Sequence, residues 1–190
     1  MKIIYHYLFP LVWFTYVAYW WAKSADRKKT EQIESLLSRG IRLISMVAAI
    51  VLLAFQDISL GILDRQLLPF AGIDFWAGAG MTICGLTFSV WARHCLGRNF
   101  SQAVTIKKDH ELITNGPYAF VRHPIYSGLL LALTGSAIGL DKWRGAFAVI
   151  LVFSALWYKL RIEEQWMLAH FGKAYEEYAR RHAALVPYFL

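Results

Sequence analysis

The sequence predicts an all-α, polytopic membrane protein of about five transmembrane helices, forming a single domain over residues 1–190. Three observations predict it. Hydrophobic residues make up 57% of the chain and charged residues 17%, against roughly 25% charged in soluble domains. Aromatic residues reach 16%, with 8 Trp, and Trp and Tyr collect at the membrane–water interface because each ring is apolar at one end and polar at the other. The apolar residues are also gathered into runs near the length a bilayer requires.

The first run, Ile3 to Ala22, is the clearest span. Pro10 kinks it, and the absence of a basic leader and of a small-residue cleavage site makes it a retained span rather than a signal peptide. The second, Ile41 to Phe55, begins earlier, near Leu36. The third, Phe75 to Trp91, contains Gly78, Gly80 and Gly85, which let helices approach closely. The fourth and fifth, Ile125 to Leu140 and Ala146 to Tyr158, are separated by the polar turn Asp141-Lys142-Trp143-Arg144 and should form a tight hairpin. From Ile162 to His182, Leu168, Phe171, Tyr175 and Tyr178 recur at three- and four-residue spacing among charges, the pattern of an amphipathic helix. That helix lies on the membrane surface or folds back over the third loop, with His170 and His182 on its solvated or interfacial side. The first three spans occupy residues 1–95 and the half that carries the chemistry residues 96–190.

Loop charges orient the spans. Cations crowd the first loop (Lys23, Arg27, Lys28, Lys29, Arg39, with Arg42 at its edge), the third (Arg93, Arg98, Lys107, Lys108, Arg122) and the tail, while the second loop has Arg65 alone beside Asp57 and Asp64. The first loop, the third loop and the C-terminus are therefore expected in the cytoplasm and the N-terminus outside. The net charge of +7 is scattered between apolar runs rather than laid out as a basic stripe, which argues against nucleic acid and for attraction to anionic headgroups. Cys84 and Cys95 sit eleven positions apart on one predicted helix, roughly 16 Å at helical rise, too far to bridge. No His or Cys spacing matches a zinc pattern.

Polar residues concentrate in two places. The third loop runs through His110-Glu111-Leu112-Ile113 and Gly116-Pro117-Tyr118 into Arg122-His123-Pro124-Ile125-Tyr126. Pro124 suits a first helical turn, where its missing N–H costs nothing, so span four should start at His123 or Pro124 with its amide end turned toward the loop, a site for a carboxylate or phosphate. At the exit of span five, Lys159, Arg161, Glu163 and Glu164 lie within six residues, with Lys159 and Glu163 on one helical face. Ionisable clusters at a membrane boundary are functional-site candidates, although anchoring in the headgroup layer accounts for isolated charges equally well.

These two clusters carry a resemblance. Gly116-Pro117-Tyr118 with Arg122-His123-Pro124-Ile125-Tyr126-Ser127-Gly128, and Glu163-Glu164 with Phe171-Gly172-Lys173-Ala174-Tyr175 and Tyr178, resemble the signature of the isoprenylcysteine carboxyl methyltransferase family and its phospholipid methyltransferase relatives. The resemblance covers about the C-terminal half, from Asn99 to Pro187. It implies an integral membrane enzyme that uses S-adenosylmethionine without a Rossmann domain. The implied cofactor contacts are His110, Glu111, Leu112, Ile113, Tyr118, His123, Pro124, Ile125, Tyr126 and Glu163, with Thr105 standing where the eukaryotic family members have Gln. Lys159 occupies the position of an Arg that meets the substrate carboxylate in the family members that methylate prenylcysteine, so either Lys159 or Arg161 takes that role or the acceptor is a different nucleophile, with Arg122 as a further catalytic candidate.

The chemistry of the residues is compatible with this. Glu163 can pair with the cofactor's ammonium, a charge-assisted bond that strengthens where water is scarce. Leu112, Ile113 and the Tyr rings offer an apolar slot for adenine. A carboxylate acceptor needs no general base, whereas an amine or thiol acceptor needs one, and His123 or His110 is the candidate. The expected function is methyl transfer to a lipophilic acceptor, a prenylated cysteine in first place, entering from the bilayer among membrane lipids. The alternatives are a phospholipid amine or small thiol methyltransferase, an NADPH-dependent lipid or sterol reductase with Lys107, Lys108 and Arg122 around the 2′-phosphate, and a non-catalytic scaffold or transporter.

Overall fold

The computed structural model describes residues 2–23, 36–54, 59–67, 73–97 and 112–187. Within them the chain is helical, as the sequence predicts: α1 (Lys2–Ala22), α2 (Leu36–Ala54), α3 (Ile73–Leu96), α4 (Pro124–Leu140), α5 (Trp143–Phe171) and α6 (Lys173–Arg181). Short 3-10 turns occupy Gly61–Asp64 and Gly116–Ala119. Two isolated bridges are the nearest thing to β-structure among the described residues. α3 and α5 are long and apolar enough to cross a membrane, and α4 and the Gly40–Ala54 part of α2 are shorter apolar helices.

The largest departure from expectation is at the end of the chain. Ile162 to His182 is not one amphipathic helix. α5 continues without interruption for 29 residues to Phe171, because no helix breaker stands between Tyr158 and Phe171. It stops at Gly172, whose φ of 54° lies in the left-handed region that glycine enters without a Cβ penalty. Only α6 is a separate amphipathic helix, with Tyr175 and Tyr178 buried and Glu176, Glu177, Arg180 and Arg181 exposed. The Lys159 to Glu164 group therefore lies within the continuous α5 helix.

α3 packs antiparallel on α4 along glycines. Gly85 faces Gly128, and Gly78 faces Gly135. A Cβ on Gly85 would stand 2.6 Å from the Ala132 nitrogen, and one on Gly135 would stand 2.7 Å from the Thr82 nitrogen. Backbone meets backbone with no side chain between, the close approach that small residues permit in lipid. Gly80, also expected to ease packing, faces open space, since two positions along a helix is about 200° of rotation. Thr82 Oγ1 lies 3.1 Å from the Ala132 carbonyl oxygen, and Trp13 Nε1 donates to Ser136 Oγ at 3.0 Å. These bonds tie α1 and α3 to α4. α1 runs alongside α3, with Phe9 edge-on to Phe75 and the Tyr16 hydroxyl 2.8 Å from Ser89 Oγ. On the other side, Ala49 of α2 joins Leu133 of α4 and Val152 and Leu156 of α5 in the apolar core.

One end of the bundle is latched by charge. Arg144, expected in a polar turn, is instead in the first turn of α5, with its side chain wholly buried and 3.0 Å from Asp64 Oδ1. The Leu67 N–H donates to the Asp141 carbonyl and the Trp143 N–H to the Arg65 carbonyl, both at 3.2 Å. The second loop is thus laced to the short α4–α5 connection. The opposite end, where α3 finishes and α4 begins, carries the polar residues singled out above.

Candidate active site

Proline sets the start of α4. Pro124 is its first residue and His123 its N-cap, and the His123 carbonyl accepts from the N–H groups of Tyr126 and Ser127 at 3.0 Å each. Two of the helix's first amides thus close on their own chain, which leaves less of the amide end turned toward an anion than the sequence suggests.

The first turn of α4 then meets the second half of α5. The Tyr126 hydroxyl is 2.7 Å from both carboxylate oxygens of Glu163. Lys159 Nζ is 3.4 Å from Glu163 Oε1 and lies over the Tyr126 ring, 5.1 Å from its centroid. The His123 ring stacks parallel to Tyr126 with centroids 5.5 Å apart. Its Nδ1 is 3.6 Å from Glu163 Oε2. His123 Nε2 is buried without a hydrogen-bond partner, and Glu164 Oε1 at 3.4 Å is near enough to act on it electrostatically but not aligned to bond. Arg122 Nε donates to Glu164 Oε1 at 2.7 Å. Two carboxylates a residue apart on α5 are thus divided between two sets of partners: Glu164 faces Arg122, and Glu163 faces Tyr126 and Lys159.

The tail folds back over this site. Arg122 Nη1 donates to the Ala179 carbonyl at 2.9 Å and to the His182 carbonyl, capping the C-terminal end of α6, where a cation suits the helix dipole. The Arg122 and His123 N–H groups donate to the Ala183 and Ala184 carbonyls at 2.9 and 3.0 Å. Ser127 Oγ donates to the Leu185 carbonyl at 2.6 Å, and the Tyr178 hydroxyl to the Tyr118 carbonyl at 2.7 Å. Burial pushes the Tyr178 hydroxyl up to about 12, with Arg122 pulling weakly the other way. Burial likewise holds Tyr118 and Tyr175 well above the usual tyrosine range. His182, expected on the solvated or interfacial side of the tail, is half-buried with Nδ1 3.0 Å from the Tyr178 carbonyl.

The structure therefore brings Arg122, His123, Tyr126, Lys159, Glu163 and Glu164 together. Pro124 and Tyr118 are buried beside them, and Leu112, Ile113 and Ile125 are half-buried. Arg161 is not part of the cluster: two positions from Lys159, it points away and is exposed. Thr105, His110 and Glu111 lie outside the described residues. One residue escaped sequence reasoning. Arg42 of α2, read as a charge at the edge of the first loop, is half-buried on the bundle-facing side of that helix. The signal that would have found it is a cation on the same helical face as Ser45 and Ala49, both buried.

Comparison with known proteins places these features in a family. The chain is 36% identical over 98 residues to a protein-S-isoprenylcysteine O-methyltransferase of Schizosaccharomyces pombe, covering 48% of this chain and 40% of that protein. It is 32% identical over 114 residues to protein-S-isoprenylcysteine O-methyltransferase B of Arabidopsis thaliana, covering 58% of each. A probable protein-S-isoprenylcysteine O-methyltransferase of Oryza sativa subsp. indica is 33% identical over 122 residues, covering 60% of this chain and 64% of that one. The chain thus matches from two fifths to under two thirds of the length of these curated relatives. The sequence model of the phospholipid methyltransferase family matches residues 73–174, from the start of α3 to the start of α6 and so through the whole Tyr126–Glu163 site. With more than half of its length inside that match, the chain belongs to the phospholipid methyltransferase family.

Proposed function

We propose that this protein is an S-adenosylmethionine-dependent methyltransferase of the membrane that esterifies the carboxylate of a prenylated cysteine. The observation that carries the reading is Glu163, a carboxylate held at 2.7 Å by the Tyr126 hydroxyl and flanked by Lys159 and His123 within the family match. The names of the similar proteins supply the acceptor class.

The residues present fit the methionine end of the cofactor. Glu163 offers an anion for its ammonium, and the buried His123 Nε2, with no hydrogen-bond partner of its own, offers a polar contact. Leu112 and Ile113, both half-buried, are the apolar side chains this reading assigns to adenine. When bound, S-adenosylmethionine supplies an electrophilic methyl group on a sulfonium. A carboxylate acceptor is already ionised at neutral pH, so the chain need not remove a proton. Its work is to hold, orient and exclude water. Arg122, with donors on Glu164 and on two α6 carbonyls, positions the tail over the site rather than meeting substrate. The same engagement disfavours Arg122 as a 2′-phosphate ligand, and with it the reductase reading.

The membrane placement belongs to the same proposal: five spans, with the Tyr126–Glu163 end of the bundle in the cytoplasm. α3 and α5 have the length and apolarity to cross. The ends of α1 and α3 and the starts of α2 and α4 border the cation-rich segments.

The test is transfer of labelled methyl from S-adenosylmethionine to a farnesylated cysteine by the purified chain. An ester label is released by mild alkali as volatile methanol, whereas an N-methyl or S-methyl label is retained. Alkali-stable label identifies an amine or thiol acceptor, and no transfer at all, with no cofactor heat on titration, overturns the reading.

A further inference from the structure

Two consecutive residues, Arg122 and His123, face in two directions. Their backbone holds the tail. The Arg122 N–H donates to the Ala183 carbonyl at 2.9 Å and the His123 N–H to the Ala184 carbonyl at 3.0 Å, beside a parallel bridge between Val121 and Ala183. The tail so held is built into the core, with Ala184 and Leu185 buried against Leu160 of α5. The side chains of Arg122 and His123 turn to the adjacent glutamates of α5, and Arg122 also reaches the Ala179 and His182 carbonyls at the end of α6.

One oxygen faces both side chains. Glu164 Oε1 accepts from Arg122 Nε at 2.7 Å and stands 3.4 Å from His123 Nε2. The other nitrogen of the same imidazole, Nδ1, is 3.6 Å from Glu163 Oε2. The His123 ring therefore lies between the carboxylate that takes the cofactor's ammonium in the function proposed above and the carboxylate that holds the tail's anchor. Ordering such a segment has an entropic cost, and a segment ordered for one partner is already ordered for the next. A docked tail fixes the Arg122–His123 backbone, and Glu164 carries that order to the imidazole beside Glu163. A cofactor resting on Glu163 and His123 fixes the same ring from the other side. Whatever the docked tail adds to cofactor affinity, the cofactor adds to tail docking.

We infer that Glu164 is a positioning residue: through the oxygen that faces both Arg122 and His123, it couples docking of the C-terminal tail to binding of S-adenosylmethionine at Glu163. The inference rests on the cofactor reading of Glu163 given above. It gives the two adjacent carboxylates different work, Glu163 meeting the cofactor and Glu164 linking that cofactor to the tail.

The experiment uses the full chain in detergent, as the natural sequence and as Glu164→Gln and Ser127→Ala. Calorimetric titration with S-adenosylmethionine sets a saturating concentration for each. Tryptic cleavage after Arg180 and Arg181, exposed in α6, is then timed by mass spectrometry with and without saturating S-adenosylmethionine. In the natural chain the cofactor is expected to slow cleavage about fivefold or more, the low end of coupling between two sites. Ser127→Ala removes the bond to the Leu185 carbonyl and leaves Glu164 in place. Its cleavage should quicken, while the cofactor still slows it by the natural factor. Glu164→Gln should quicken cleavage about tenfold, the scale of a hydrogen bond to a charged group, and the cofactor should slow it hardly at all. A Glu164 that only braced the tail would leave the cofactor's factor intact. If Glu164→Gln does not fold or binds no cofactor, Glu164→Asp, which keeps the charge and withdraws it by one methylene, decides by the same criterion. Cleavage of the natural chain that ignores bound cofactor, or a Glu164 variant that keeps the natural factor, overturns the inference while the methyltransferase reading stands. A natural chain that gives no cofactor heat overturns that reading and the inference with it.

Discussion

The Tyr126 hydroxyl stands 2.7 Å from each carboxylate oxygen of Glu163, joining the first turn of α4 to the second half of α5. A donor shared between both oxygens fixes the plane of the carboxylate without neutralising it. Tyr126→Phe keeps the ring stacked on His123 and removes only that donor. S-adenosylmethionine affinity should fall about tenfold, since a hydrogen bond to a charged group contributes about 1.5–3 kcal/mol. Calorimetric titration of the purified variant measures this, and an unchanged affinity would separate Glu163 from cofactor binding.

The glycine seam gives a paired test of packing. At Gly85 a Cβ would collide with backbone atoms of Gly128 and Ala132, whereas at Gly80 it meets nothing within 4 Å. Gly85→Ala should cost about 1–3 kcal/mol, the usual penalty for overpacking. Gly80→Ala should be neutral or slightly stabilising, through better helix propensity. Thermal melts of both variants in one detergent decide the matter. Equal Tm values would contradict the contact.

The buried latch predicts stability without a change in chemistry. Arg144 is fully buried against Asp64, whose side chain is 22% exposed. Asp64→Asn removes the Asp64 charge from a buried guanidinium and should destabilise by about 3 kcal/mol, the lower end for breaking a buried pair because water reaches this carboxylate. Cofactor affinity at the far end of α5 should be unaltered when titrated below the new Tm.

The tail gives a pH dependence. Burial raises the Tyr178 hydroxyl from its ordinary value near 10 up to about 12 while it donates to the Tyr118 carbonyl. Between those values the unfolded tail releases a proton that the folded tail retains, so folded stability falls as pH rises through this window and is fully present below it. Tail release, followed by limited proteolysis after Gly172, should accelerate from about pH 10 to about pH 12. Tyr178→Phe should release more readily at neutral pH and respond less steeply, Tyr118 and Tyr175 supplying what slope remains.

How much of this was legible in the sequence depended on the distance over which each signal acts. Pro124 announced the start of α4, and Lys159 and Glu163 announced a shared face, because both signals operate within one turn. The convergence of Arg122 and Tyr126 with Glu163 and Glu164 followed from family resemblance, not from spacing. The length of α5 was missed because a charged cluster after an apolar run looks like a membrane exit, although helix propagation asks only for the absence of a breaker until Gly172. Arg144 looked like a turn residue because its partner, Asp64, lies 80 positions away in sequence. Gly80 illustrates the converse: composition suggested close approach, and helical phase decided which glycines make it.

The α3–α4 joint has a mechanical consequence. Where main chain lies against main chain, there are no rotamers to exchange and no side-chain volume to redistribute, so the pair moves as one beam or parts altogether. On the far side, the space beside Ala49 and Val152 is filled by Met46, Leu52, Leu53 and Leu130, long side chains that repack at little cost. In the function proposed above, the α2–α5 flank is therefore the side through which a hydrocarbon chain would enter. A covalent staple across α3 and α4 should be tolerated during turnover, and one across α2 and α5 should not.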